Sequence, residues 1–167
     1  MYMGLRIGEV CALQWKEIDL EKRVLTVSKT IQRVQCRTGS KQTKLIITEP
    51  KSESSKRTIP IPDCLLPLLR RFKDNGEVYV VSGRKKPVEP RTMQYRFAKI
   101  LHNADLPSFH YHSLRHLFAT RCVELGFDVK TLSEILGHSS VEVTLNRYIH
   151  SDMERKRTCM SLLSKCA

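Results

Sequence analysis

The residues with the most chemical potential lie between His112 and Tyr148, in the run HSLRHLFATRCVELGFDVKTLSEILGHSSVEVTLNRY. His112, Arg115, His138 and Tyr148 together offer what a metal-free attack on a phosphodiester requires. Such a reaction needs a nucleophile, cations on the two non-bridging oxygens and a proton for the leaving oxygen. A tyrosine hydroxyl has a pKa of about 10 in water, so neighbouring cations or a base must activate it. Arginine grips phosphate oxygens through a planar fork, and histidine or lysine can carry the proton. His112 and Arg115 are three apart, hence on one helix face. His138 follows Gly137 at a helix break, where its ring can enter a cleft. Taken singly each is unremarkable, since a His–Arg pair is commonly surface charge and a tyrosine commonly half-buried packing. The chain has no Asp/Glu/His cluster at metal-ligand spacing, so the expected chemistry uses no metal and no other cofactor.

The elements that must position these residues can be read from periodicity and punctuation. A helix is expected from His112 to Leu125, with Leu114, Phe118, Cys122 and Leu125 on its core side and Gly126 stopping it. Asp128 caps a second helix, VKTLSEIL, which Gly137 ends, and Ser139 or Ser140 caps a third, VEVTLNRY. Upstream, GLRIGEVCALQW reads as a short helix on which Arg6 and Glu9, three apart, can pair. VLTVSKT alternates like a strand, and IQRVQCRTGSKQT reads as a loop or a strand-and-turn at Gly39. KLIITEP and KRTIPIP read as strands flanking a polar hairpin tip, EPKSESSK, which carries Lys51. Asp63 is placed to cap a helix over CLLPLLRRFKDN, with Pro67 tolerated in its first turn. VYVV reads as a short buried segment and SGRKKPVEP as a basic loop. Residues 91–104 form a helix with Met93, Phe97 and Ile100 on one face, and DMERKRTCMSLLSK is an amphipathic tail. The expected class is α+β, mostly α: a helical catalytic domain with a small antiparallel sheet and hairpin in the N-terminal third.

Composition narrows the partners. A chain of 167 residues is one domain's worth, expected here to be a single domain over 1–167. No apolar run approaches the roughly 20 residues that span a bilayer, and MYMGLRIGEV has no apolar signal core, which points to the cytoplasm. Cys11, Cys36, Cys64, Cys122, Cys159 and Cys166 form no CxxC pair and are expected to be reduced packing residues. The formal charge is +12, and it is clustered. Residues 29–57 carry eight Lys and Arg against two Glu, and residues 84–99 carry six against one. Such stretches suit a polyanion, so a nucleic acid is the expected partner. Lys29, Arg33, Lys56, Arg57, Arg84, Lys85, Lys86 and Arg91 are the candidate phosphate contacts.

GLRIGEV, HSLRH and LGHSSVEVTLNRY, in this order and at these separations, resemble the signature boxes of the tyrosine recombinase (phage integrase) family. EPKSESSKRTIPIP resembles that family's lysine-bearing β-hairpin, so the likeness covers essentially the whole chain. The resemblance implies DNA strand cleavage and rejoining through a 3′-phosphotyrosyl link, without ATP. Arg6 and Arg115 would grip the scissile phosphate, and Lys51, with Lys56 as the alternative, would protonate the leaving 5′ oxygen. His112 would assist proton transfer, His138 would hydrogen-bond the phosphate, Tyr148 would attack it, and Glu9 would support the site. It further implies a tetramer on DNA coupled through the C-terminal tail, work at the nucleoid, and room for an accessory DNA-bending or excisionase protein. Met3 stands where the family usually has Thr, and the family's N-terminal DNA-clamp domain is expected to be absent from this chain. Two other readings use the same residues: a type IB topoisomerase-like nicking-resealing enzyme, and an inactive DNA-binding module.

Overall fold

Alternating apolar and polar residues make strands of Val24–Val27 and Arg57–Pro60 in a computed structural model of the chain, which describes residues 2–35, 43–49, 53–74, 76–148, 153, 156–157 and 160–161. Ile18–Asp19 (β1), Val24–Val27 (β2) and Arg57–Pro60 (β5) form one antiparallel sheet in the order β1-β2-β5, with Leu25 opposite Ile59. Thr30–Gln35 (β3) and Thr43–Thr48 (β4) form a separate antiparallel pair, with Ile31 opposite Ile47.

The expected single sheet is therefore two among the described residues. KLIITEP pairs back onto the stretch read as a loop or strand-and-turn, and KRTIPIP pairs with the earlier VLTV strand. Burial explains the choice. β2 and β5 turn Leu25, Val27 and Ile59 inward, where with Ile61 they join Leu13, Trp15, Leu66 and Val78 in the main core. β4 has no fully buried residue to offer that core.

The helical half has its own core, built by Ala119, Cys122 and Val123 of Ser113–Glu124 (α4) and by Leu132 and Leu136 of Val129–Leu136 (α5). Leu132 and Leu136 have no exposed surface, and truncating such a leucine costs about 2–5 kcal/mol. Ile7–Ala12 (α1) lies against β3 at Gly8, where a Cβ would fall 2.6 Å from the Ile31 carbonyl oxygen. Cys11, Ala12 and Ile31 close that contact. Cys11 and Cys122 are buried free thiols, and burial pushes the Cys11 thiol up to about 11.

Three helix expectations need correction. Asp63 does not cap the helix after it: a 3-10 turn over Asp63–Leu65 leads into Leu66–Arg71 (α2), and the Asp63 carboxylate instead accepts from Arg23 at 3.1 Å. Pro90–Asn103 (α3) presents Met93, Phe97 and Leu101 inward, four residues apart, while Ile100 is 64% exposed. The buried line of α4 is Arg115, Ala119, Cys122 and Val123, with Leu125 65% exposed. α4 is rotated so that a guanidinium, not Leu114, enters the interior.

α5 follows its punctuation at both ends. The Asp128 carboxylate accepts from the Thr131 N–H at 2.9 Å. Gly137 ends α5 at φ +63°, and the His138 N–H reaches back to the Ser133 carbonyl at 3.1 Å, the 6→1 closure of a left-handed helix end. Val141–Tyr148 (α6) follows. The amphipathic tail lies largely outside the described residues; Met153 and Met160, which are described, are exposed.

A Cβ at Gly137 would sit 2.8 Å from Arg57 Nη1 in a left-handed backbone. Gly137→Ala should therefore lose about 1–2 kcal/mol from backbone strain alone, more than the ~1 kcal/mol expected of the cap deletion Asp128→Ala. Urea melts read both, and a Gly137→Ala protein as stable as wild type would refute the account of this turn.

Candidate active site

The left-handed end of α5 leaves its last carbonyls without helical partners. Three arginines from distant parts of the chain take them. Arg57 Nε donates to the Ile135 carbonyl at 2.6 Å, Arg115 Nη2 to Leu136 at 2.7 Å and Arg6 Nη2 to Gly137 at 2.9 Å. Cations are favoured at this negative end of a helix. Arg115 Nη1 also donates to the Gly4 carbonyl at 2.7 Å, tying α4 to the segment that precedes α1.

Glu9, 4% exposed, sits among these guanidinium groups. Its Oε2 accepts from Arg57 Nη2 at 2.9 Å and from the Arg6 backbone N–H at 2.8 Å. Its Oε1 accepts from Arg6 Nη1 at 2.9 Å and Arg57 Nη1 at 3.1 Å. Burial alone would push the Glu9 carboxyl up, but the hydrogen bond and charge of Arg57, then those of Arg6, outweigh it and hold the group below its ordinary range. Arg115 is lowered too, to about 10, but by burial first and then by the charge of Arg6, and it is still cationic at neutral pH. One carboxylate against three guanidiniums leaves the cluster net positive, and Arg6, with 38% of its side chain exposed, is its outward member.

Tyr148 closes the other side. Its half-buried ring packs against the helical core, and its hydroxyl is 2.9 Å from His116 Nδ1. The His116 ring meets that of His112 edge-on, with centroids 4.6 Å apart. The His138 ring lies parallel to that of Tyr148 at 6.4 Å, with its Nδ1 2.7 Å from the buried Thr144 hydroxyl. The influence of Tyr148 on Arg115 is smaller than those of burial and of Arg6, and it favours the cation.

The fold thus gathers Arg6, Glu9, His112, Arg115, His138 and Tyr148 at one end of α5. Lys51 lies outside the described residues. Lys56, its alternative, is paired with Glu49 at 2.6 Å and borders a cleft with His138 and Lys130. Among the expected DNA contacts, Lys29 acts on Glu49, Arg33 pairs with Glu89 at 2.7 Å and Lys85 with Glu77 at 3.3 Å. Arg84 and Lys86 line one surface cavity with Arg96, and Arg33 and Arg91 line another with Tyr95. Arg57 departs from expectation: its side chain is only 7% exposed and turns inward to Glu9. The signal was present, because the period of two in β5 places Arg57 on the same face as the buried Ile59. His116 was not singled out from the sequence, although it stands four residues from His112 on the same helical face. Among the described residues, no cluster of His, Cys, Asp or Glu is fit to hold a metal, and no helix is long and apolar enough to cross a membrane.

The phage integrase family model matches residues 1–155, and the chain belongs to that family. It is 33% identical to a tyrosine recombinase XerC-like protein of Caldanaerobacter subterraneus subsp. tengcongensis, over 96% of this chain and 46% of that one. It is 34% identical to tyrosine recombinase XerA of Pyrococcus furiosus, over 84% of this chain and 44% of that one. The chain therefore spans less than half the length of these relatives. Among solved structures it resembles the Tn1549 transposon integrase in complex with a circular intermediate DNA, with TM-score 0.71, 27% identity, and 97% of this chain and 55% of that one covered. The crystal structure of XerA recombinase shares the fold at TM-score 0.65, 23% identity, over 96% of this chain and 54% of that one. The expected class, mostly helical with a small antiparallel sheet portion, is thus the one observed.

A carboxyl held below its unfolded pKa, near 4.5, adds stability that is complete above that pH and lost as pH falls through the folded value. Glu9→Gln should remove this acid-side loss and, by leaving Arg57 buried without its partner, cost about 3–5 kcal/mol at neutral pH. Denaturant melts at a series of pH values check both; equal stability of the two proteins at neutral pH would remove Glu9 from this role.

Proposed function

We propose that residues 1–167 form the catalytic domain of a site-specific recombinase that breaks and rejoins double-stranded DNA through Tyr148. The observation that carries this reading is that the Tyr148 hydroxyl meets His116 on α4, the residue next to Arg115, whose guanidinium shares the Leu136 carbonyl at the end of α5 with Arg6. Each Nη of Arg115 carries a second hydrogen beyond the one given to a carbonyl, which a phosphate oxygen can take. In the proposed step the Tyr148 oxygen bonds to phosphorus as the P–O5′ bond breaks. Lys51 protonates the leaving oxygen, His138 hydrogen-bonds the phosphate and His112 assists proton transfer. The link preserves the ester's energy, so a 5′ hydroxyl from a partner strand reverses the step without ATP.

Lys29, Arg33, Lys56, Arg84, Lys85, Lys86 and Arg91 would hold the duplex. Several are paired with surface carboxylates, but exposed pairs are worth at most about 1 kcal/mol, so phosphates can replace them. An apolar groove lined by Ile59, Ile61, Phe118, Leu125, Phe127 and Ile135 suits the C-terminal tail of a second copy, which supports the tetramer on DNA. The relatives' names and the DNA in the Tn1549 integrase complex support the same reading. The protein would then work at the nucleoid.

A pool of nicked duplexes of randomised sequence tests it, because loss of the short strand beyond the nick traps a covalent adduct. Wild type should form the adduct and Tyr148→Phe should bind but form none; an undiminished adduct in Tyr148→Phe would end the assignment. Binding should also weaken by about 10³–10⁵ between 50 and 200 mM salt if 6–10 phosphates are contacted, and salt-independent binding would contradict the basic surface.

A further inference from the structure

The Tyr148 hydroxyl must lose its hydrogen as it attacks phosphorus. His116 is in hydrogen-bond contact with it, at 2.9 Å from Nδ1 to Oη. We propose that His116 is the base for Tyr148, an inference that rests on the recombinase reading above. As the Oη–phosphorus bond forms and the P–O5′ bond breaks, the hydroxyl hydrogen passes to His116 Nδ1, and a separate acid protonates O5′. In rejoining, His116 returns the hydrogen to the tyrosine oxygen while the incoming 5′ hydroxyl gives its own to that acid.

Geometry and attachment both favour this group. The separation lies within the range at which a general base takes a proton. With its other hydrogen on Nε2, a neutral imidazole accepts at Nδ1. His116 is the residue after Arg115 on α4, so the base and a phosphate-gripping cation are fixed to one rigid element. Arg115 attracts the same oxygen as it gains negative charge. His138 is oriented differently. Its ring lies within 5° of parallel to that of Tyr148 and so offers its face, while its Nδ1 meets the Thr144 hydroxyl. His112 meets the His116 ring nearly at right angles, with centroids 4.6 Å apart, and so helps to fix it.

The test uses the randomised nicked-duplex pool in two forms, one with ordinary linkages and one with a 5′-bridging sulfur at a fixed linkage near the nick. A thiolate leaves without an acid, so sulfur restores a protein that lacks its leaving-group acid but not one that lacks its base. His116→Ala and His116→Asn should bind the pool as wild type does and form the adduct about 10²–10⁴-fold more slowly. Sulfur should leave that deficit in place while restoring Lys51→Ala, and added imidazole should speed His116→Ala. The Asn variant keeps a polar acceptor of similar size, so a folding defect confined to Ala would not mask the result. Wild-type adduct rates in either variant, or sulfur restoring them, would overturn the proposal. If wild type forms an adduct that Tyr148→Phe abolishes, that failure falls on His116 alone; if wild type forms no adduct, the recombinase reading and this one fall together.

Discussion

Three guanidinium groups brought to one place repel one another, and here Glu9, the last carbonyls of α5 and the Gly4 carbonyl together offset that repulsion. Glu9 takes Arg57 with both oxygens and Arg6 with side chain and backbone, and the helix end supplies one carbonyl to each arginine. The arrangement joins α1, β5, α4 and α5, elements far apart in sequence. Removing Glu9 would leave buried cations without a counter-charge, which is far more costly than losing a surface pair. The groups that hold these elements together therefore also shape the positive cluster at the end of α5.

The end of α5 does two things at once. Its left-handed Gly137 frees carbonyls for the arginines and turns the chain so that His138 faces Tyr148. α6 packs on α5 and α4 through the fully buried Thr144, while Val141, Val143 and Leu145 are 38%, 39% and 39% exposed. It carries Tyr148 against the helical core, where the tyrosine meets His116 and His138.

Much of this was legible in the sequence because it is local. Asp128 and Gly137 mark both ends of α5 by cap chemistry, and the alternation of VLTV and RTIP marks two strands. Partner choice was not legible, because it depends on which faces bury most when distant strands meet. β4 therefore took β3 rather than β5. Helix rotation failed for a related reason. Apolar spacing on α4 pointed to Leu114 and Leu125, yet the fold turns Arg115 inward because Gly4 and Leu136 supply acceptors from elsewhere in the chain. Arg57 was counted with the surface cations by its charge, although its strand parity assigned it to the interior. The role of His116 was not legible because its partner, Tyr148, comes from α6, 32 residues further along the chain.

Those errors share a cause that bears on how a basic sequence should be interpreted. The charge of +12 treats all cations alike, while the structure sorts them by solvation. Arg57 and Arg115 have lost most of their water and found fixed acceptors, so their strength is preorganised and little screened by salt. Arg33, Lys56 and Lys85 keep their water and hold carboxylates that a polyanion can displace at small cost. The first group is fixed inside the fold, Arg57 by Glu9 and Ile135 and Arg115 by Gly4 and Leu136, while the second stays at the surface with partners it can exchange. Net charge reports their sum, but only burial separates the cations built into the fold from those left at its surface.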